Sequence, residues 1–281
     1  MRPIMLSVLL IFGSGSFFAP TVDPDPTPSS WKTDGKGDAF LLYRGYKERT
    51  GRDLTAMSQG RSPSCVGCSA AKAMEIMHGV PFSAEWAYAV SREGKPLKGS
   101  GSYAGWAAHA ARETGFLPAV NYEIVGEDFT QYSHERSNAY GIRGPPEYLK
   151  PLADLYKSPG YHKVTSWEEL RGAISQGYPV IIGSNVSFGP RSGQVKDRDG
   201  SLRRRWWGKW NHAMVFIGVD DRASSNKGAL LMNSWGDHWV SGPKRFKDEP
   251  NGCFWASKDA VERMIAQGDC YVILPIQGLS N

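Results

Sequence analysis

The hydrophobic pattern of the chain changes character part-way along. From Cys65 to about Thr114, apolar and small residues recur at helical spacing. Cys65 to Met77 holds few β-branched residues and places Val66, Ala70 and Ala73 near one face, which predicts a helix stopped by Gly79-Val80-Pro81. Ser83 can cap a second helix running to Arg92, with Gly94 beyond its end. Ser102 can cap a third, through Ala107, Ala108, Ala111 and Thr114, with Gly115 as its stop. After about Tyr161 the texture differs. Ser166-Trp167-Glu168-Glu169 has the form of a capping box and predicts a helix to Gln176, before Gly177. Short apolar runs follow at Pro179–Ser184, Ala213–Val219, Ala229–Asn233 and Tyr271–Pro275, with turn signals between them, and these predict strands. Asp197-Arg198-Asp199-Gly200 predicts a hairpin turn. Helices first and strands afterwards predict an α+β protein of two segregated lobes, helical over about 60–160 and β-rich over about 161–281.

The N-terminus follows a different pattern. Arg2 precedes an apolar run, Ile4–Phe12, and then Gly13-Ser14-Gly15-Ser16. A short apolar run before small residues predicts a signal peptide over 1–16, and so a secreted or envelope location. An N-terminal anchor or a buried strand is the alternative, with a cytoplasmic location if the segment is no signal. No Cys follows the run, which speaks against a lipoprotein anchor, and no other stretch is apolar for long enough to cross a bilayer. Residues 17–50 are expected to form an N-terminal extension containing the Pro-rich linker Asp23–Ser30, ahead of a domain over 51–281.

Composition narrows the classes. With 281 residues, 41% apolar and 22% charged, the chain is long enough for a buried core and excludes bulk disorder, collagen and coiled coil. A net charge of +5 is too weak to imply nucleic acid. The basic, aromatic run Arg203–Trp210 is read first as a solvated hairpin face, although its continuation into His212 would suit a cleft border favouring acidic substrates. Four Cys make no disulfide scaffold. Cys65-x-x-Cys68 lacks the preceding strand of a thioredoxin-type redox pair, and Cys253 and Cys270 lack metal-ligand spacing, so a disulfide between those two or two buried thiols is expected.

Three segments carry chemistry: Gln59-Gly-Arg-Ser-Pro-Ser-Cys65, Asn211-His-Ala-Met-Val215 and Asn233-Ser-Trp-Gly-Asp-His-Trp239. Cys65 falls where a Ser-Pro-Ser loop gives way to a helix, and a helix N-terminus favours the nucleophilic thiolate. His212 opens a strand and could pair with that thiol. Asn233 ends another strand and could bond the far ring nitrogen, fixing the tautomer. Gln59 has amide donors that could join the Cys65 backbone N–H in binding an oxyanion.

In order and content these segments resemble the papain-like cysteine peptidases, whose pattern is Gln-Gly-x-Cys-Gly-Ser-Cys-Trp, then x-His-Ala, then Asn-Ser-Trp-Gly-x-x-Trp. The separations are 147 residues (212 − 65) and 21 residues (233 − 212), and Gly101-Ser102-Tyr103 and Pro179-Val180 also fall in place, so the resemblance covers about Gln59 to Ile276. It implies the two-lobed papain-like fold with a cleft between the lobes, a peptide or protein substrate, and neither metal nor organic cofactor. It implies Cys65 as nucleophile, His212 as acid and base, Asn233 and Gln59 in support, and Trp235 shielding the His–Asn bond. Substrate backbone would lie along Gly101 and Ser102, and a side-chain pocket would involve Gly183, Asn211 and Ala213. No nucleic acid and no stable membrane insertion are expected as partners.

Cys65-Val-Gly-Cys68 could also be aligned with Cys68 as nucleophile. The family's nucleophile follows its Gln by six residues, which selects Cys65. That register puts Ser62 where the family has a disulfide Cys, whose partner would fall near Gly99–Gly101, where no Cys stands either. Val66 then replaces the family's Trp. Only 43 residues (59 − 16) separate Ser16 from Gln59, so the long inhibitory prosegment of secreted members is not expected. Another acyl-transfer activity (amidase, isopeptidase or transglutaminase-like) and a non-catalytic binding or structural role on the same fold are the rival readings.

Overall fold

The computed structural model describes residues 22–26, 28, 38–95, 99–189, 194–222 and 226–279, with backbone alone at 206–208. The candidate signal at 1–16 lies outside them, as does most of 27–37. The folded core begins at β1 (Ala39–Leu41) and α1 (Leu42–Thr50), ahead of the expected start at residue 51. α1 is charged on its outer face, where Arg44 pairs with Asp248, but it buries Tyr43 and Tyr46. The linker expectation is also corrected at one end. Asp25 accepts from the Tyr161 N–H through its carboxylate (2.8 Å) and donates its own N–H to the Tyr161 carbonyl (2.8 Å), so this part of the extension is docked.

The helical lobe contains α2 (Cys65–His78), α3 (Ala84–Arg92) and α4 (Ala104–Glu113). A short hairpin follows, β2 (Asn121–Tyr122) with β3 (Glu127–Asp128), and then α5 (His134–Arg143) and α6 (Lys150–Ala153). α2 ends as its sequence predicts, at Gly79 with φ +70°. α3 begins as predicted, with the Ser83 hydroxyl accepting the Trp86 N–H. The expected Ser102 cap is replaced. The residue before α4 is Tyr103, and the N–H groups of Ala104 and Gly105 go to the Asp269 carboxylate (2.9 and 2.8 Å). A carboxylate takes two orphan donors at once, where a hydroxyl takes one.

β4 (Tyr161–Lys163) and α7 (Trp167–Ser175) open the second lobe. Ser166 caps α7, while Glu169 reaches the Thr165 N–H and hydroxyl in place of the reciprocal bond to Ser166. β5 (Val180–Phe188), β6 (Arg204–Asp220), β7 (Gly228–Met232), β8 (Cys253–Ser257), α8 (Lys258–Ile265) and β9 (Cys270–Ile273) complete the order. Seven strands form one antiparallel sheet in the order β4-β9-β5-β6-β7-β8, and β1 pairs with the end of β6. Asp197–Ser201 closes a turn, through the Asp197 N–H to the Ser201 carbonyl and the Gly200 N–H to the Asp197 carbonyl.

The sheet is buried on both faces, which is why its strands appear in the sequence as unbroken apolar runs. Ile181, Ala213, Val215, Leu230, Met232, Trp255 and Tyr271 pack with the helical lobe. Ile182, Met214, Phe216, Leu231, Phe254 and Val272 pack on the opposite face with Trp167 and Leu170 of α7 and Val261 and Met264 of α8. The period of two along each strand thus joins one sheet to two different cores. The C-terminal segment returns to the helical lobe. The His78 ring takes the Ile276 N–H at Nε2 and meets the Leu279 carbonyl at Nδ1 (3.1 and 2.7 Å).

Candidate active site

Register brings the second and third chemical segments together. β6 and β7 pair antiparallel with Val215 opposite Met232. Continued past the end of β7, that register sets Met214 against Asn233 and His212 against Trp235. The side chains agree. His212 Nε2 lies 2.6 Å from Asn233 Oδ1, and the Trp235 ring stacks on the imidazole with centroids 4.6 Å apart. Asn233 Oδ1 also accepts the Ser234 N–H (2.7 Å), so the amide oxygen is fixed toward the ring and Nε2 carries the proton. The other amide atom, Nδ2, is buried without a partner among the described residues. Trp235 is 37% exposed, so its outer surface meets solvent while its inner face covers the imidazole.

The first segment is laced to the third. Gln59 donates its N–H to the Ser234 carbonyl (2.8 Å) and accepts the Ser234 hydroxyl at Oε1 (2.6 Å), while Gly236 donates to the Met57 carbonyl (2.8 Å). Gln59 Nε2 bonds the Ser62 carbonyl at 2.7 Å, which leaves its second amide hydrogen. These bonds fix the loop that delivers Cys65 as the first residue of α2.

The backbone N–H groups of Ala213, Val66 and Cys65 itself lie where they favour the charged form of the Cys65 sulfur. Part of Cys65 reaches solvent. Even so, the protein packed around the sulfur pushes the thiol above its usual value, and the backbone donors only partly offset this. The backbone groups at the start of α2 act in the expected direction, toward thiolate, while burial acts against them. The imidazole is affected in the opposite sense, since burial of His212 lowers its value to about 4 against support from Asn233. Each group alone prefers to be neutral.

Cys68, one turn further on, is buried, in contact with the Ser64 hydroxyl (3.8 Å), and pushed up to about 12 by burial. It lines a small cavity with Met57, Lys72 and Val215. Cys65, Cys68, Cys253 and Cys270 are all free, and the last three are buried. Among the described residues no group of three or more His, Cys, Asp or Glu could hold a metal, and no helix is long and apolar enough to cross a membrane.

The expected substrate-binding residues fall on two walls. Gly183 and Ala213 are paired across β5 and β6, beside Ser184 and His212, and Asn211 precedes them on β6. Gly101 and Ser102 lead into α4 from the helical lobe. Asp269, fully buried, ties the walls together. Its carboxylate holds α4 and its carbonyl accepts the Gly183 N–H (2.8 Å). Burial raises that carboxyl to about 7 although two amides bond it. Sequence reasoning missed Asp269, which reads locally as a turn residue before a strand. It also missed Trp210, taken as part of a solvated hairpin, whose ring lies edge-on to His212 (5.4 Å) and to Trp235 (5.2 Å). The alternation Trp210, His212 in a strand was the available signal.

Solved structures of similar shape cover most of the chain. Xylellain, a cysteine protease from Xylella fastidiosa, matches at 19% identity over 92% of each chain, with a TM-score of 0.62. Procathepsin L 3 from the Tenebrio molitor larval midgut matches at 14% identity, over 89% of this chain and 73% of its own, with a TM-score of 0.58. The bromelain protease of Ananas comosus, solved in complex with the E64 inhibitor, matches at 15% identity over 84% of this chain and 98% of its own, with a TM-score of 0.50. The chain has the papain-like fold. At the level of sequence alone, no family model and no curated protein matches it. The papain-like architecture of helical lobe, antiparallel β lobe and connecting segments agrees with the α+β expectation, with β1 and α1 added at its start.

Proposed function

We propose that this protein is a cysteine peptidase that hydrolyses peptide bonds through a thioester acyl-enzyme. The observation that carries the reading is the bond from His212 Nε2 to Asn233 under the stacked Trp235, with Cys65 opening α2 at the end of a loop that Gln59 ties to Ser234. That arrangement dedicates one ring nitrogen to the amide and leaves Nδ1 for the thiol.

In this reading the Cys65 proton passes to His212 as the sulfur attacks the amide carbon. The C–S bond forms, and the oxyanion is held by the Cys65 N–H and the free amide hydrogen of Gln59. His212 gives its proton to the leaving amine as the C–N bond breaks. Water then loses a proton to His212 and attacks the thioester, returning the thiol and a carboxylic acid. Asn233 holds the ring, and Trp235 and Trp210 keep water from the His–Asn bond. Extended substrate lies along Gly101 and Ser102, whose side facing the β lobe is completed by Gly183, Asn211 and Ala213. The Ser102 backbone N–H and carbonyl have no partner among the described residues, which suits that role. Export is supported by the sequence of residues 1–16 alone.

The test is product analysis on unstructured peptides, with and without a primary amine. The expected result is new peptide N-termini in both conditions, and a loss of about 100-fold or more in kcat for Gln59→Ala, the scale of one oxyanion donor. Amine adducts without hydrolysis would move the reading to a transferase, and wild-type turnover in Gln59→Ala would remove Gln59 from the chemistry.

A further inference from the structure

Gly99–Ser102 is a loop with no regular pairing, yet three residues of one helix face hold it. Arg92 directs Nε to the Gly141 carbonyl (2.9 Å), Nη2 to the Gly99 carbonyl (2.6 Å) and Nη1 to the Gly101 carbonyl. Its guanidinium stands over the Tyr88 ring, 5.7 Å from the centroid. Tyr88 is buried, and its hydroxyl accepts the Gly101 N–H at 3.1 Å. Ser91 contributes its carbonyl to the Ser102 hydroxyl (3.3 Å). Positions 88, 91 and 92 follow the i, i+3, i+4 spacing of one helix face.

The neighbours are shaped around the same ring. A Cβ on Gly141 would come within 2.3 Å of Tyr88 Cε1, and one on Gly67 within 2.7 Å of Tyr88 Cβ. Both backbone polar groups of Gly101 are thus held by α3, while the backbone N–H and carbonyl of the next residue, Ser102, have no partner among the described residues. Gly101 itself sits at φ +94°, a conformation that turns successive peptide planes and that only glycine adopts without strain. Neither Ser62 nor any residue from 99 to 101 is Cys, so no disulfide anchors this loop.

We propose that Tyr88 and Arg92 are positioning residues for substrate recognition: they fix Gly99–Gly101 so that the Ser102 backbone is presented as a preformed edge for an extended peptide. The inference rests on the peptidase reading for its substrate, but the fixing of the loop stands on the bonds themselves. Because the anchors are hydrogen bonds, reductants that keep Cys65 as a thiol leave the groove intact. An Arg donates in a fixed fork to several carbonyls, which a Lys ammonium on the same stem does not reproduce.

The experiment uses the full chain with Tyr88→Phe and Arg92→Lys, each checked for an unchanged melting profile. Hydrogen exchange followed by mass spectrometry should show the peptide spanning 99–105 exchanging about tenfold or more faster in both variants, with α4 beyond it unchanged. In parallel, Cys65 is alkylated by iodoacetamide and by a peptidyl epoxysuccinate. The small reagent should react within about twofold of wild type, while the peptidyl reagent slows by about tenfold, a loss of binding without loss of nucleophile. Unchanged exchange in both variants, or equal slowing of both reagents, overturns the proposal. So does wild-type behaviour in Arg92→Lys, since the fork would then be unnecessary. If Cys65 of the wild-type protein labels with neither reagent, the peptidase reading fails, and the exchange data alone then decide whether the loop is held as described.

Discussion

Cys65→Ala is expected to abolish peptide hydrolysis, with kcat falling by about 10⁵-fold or more, while the fold is unchanged. The size follows from losing a covalent nucleophile that works as a unit with its base; single losses of that kind cost about as much as losing the whole set. The fold should survive because Cys65 is partly exposed and stands as the first residue of α2, whose own backbone bonds the substitution leaves intact. The same variant isolates His212. With no thiol to share a proton, the ring stays neutral down to about pH 4, since burial opposes its charge. The sign follows directly. A base whose folded value lies below its unfolded value of 6.5 gives full stability above 6.5, and that contribution is lost as pH falls from 6.5 through about 4. The span corresponds to about 3 kcal/mol. Imidazole C2–H chemical shifts against pH read the ring directly. Midpoints near 6.5 would mean that Trp235 and Trp210 do not exclude water.

Gly67→Ala should be the most damaging conservative change near the site. In an open helix interior this substitution stabilises by about 0.5–1 kcal/mol, because Gly loses more freedom on folding. At Gly67 the added Cβ would lie 2.4 Å from the Ala84 carbonyl oxygen and 2.8 Å from the Tyr88 nitrogen. Both are backbone atoms of α3, so no rotamer change relieves the clash and α2 must move away from α3. A destabilisation of about 3 kcal/mol or more is expected, beyond ordinary overpacking. That lowers the melting temperature by about 6–12 °C for a domain of this size. Gly51→Ala is the control. Gly51 has φ +68° but nothing within 4 Å of the new Cβ, so it should cost about 1–2 kcal/mol, the left-handed penalty alone. Equal melting shifts for the two variants would show that the α2–α3 contact is not tight.

Some of this was legible in the amino-acid sequence because the responsible physics is local. Ser83 before α3 and Gly79 after α2 act on their own neighbours, and the apolar runs of β5 to β7 reflect a sheet buried on both faces. The Asn233–Trp239 segment was legible through its resemblance to a known motif, in which the residues that flank the His212 ring, Asn233 and Trp235, stand two apart. What stayed hidden depends on partners distant in the chain. Ser102 looks like a helix cap until Asp269, 167 residues later (269 − 102), supplies a better one. α1 is so polar outside that its Arg-Gly-Tyr-Lys-Glu-Arg run resembles linker, and only the burial of Tyr43 and Tyr46 makes it part of the core. The burial that acts against the Cys65 thiolate is not encoded in a helix-start motif. Trp210 was concealed by the arginines before it.

The account stands on one sulfur being made reactive by one imidazole. Alkylation of the full chain with iodoacetamide at neutral pH, followed by peptide mapping, measures this directly. The predicted result is modification at Cys65, none at Cys68 on the same time scale, and a rate at Cys65 that falls by about 100-fold or more in His212→Ala, from the lower end of the usual range for a general base upward. Preferential labelling of Cys68, or a Cys65 rate indifferent to His212, would contradict it.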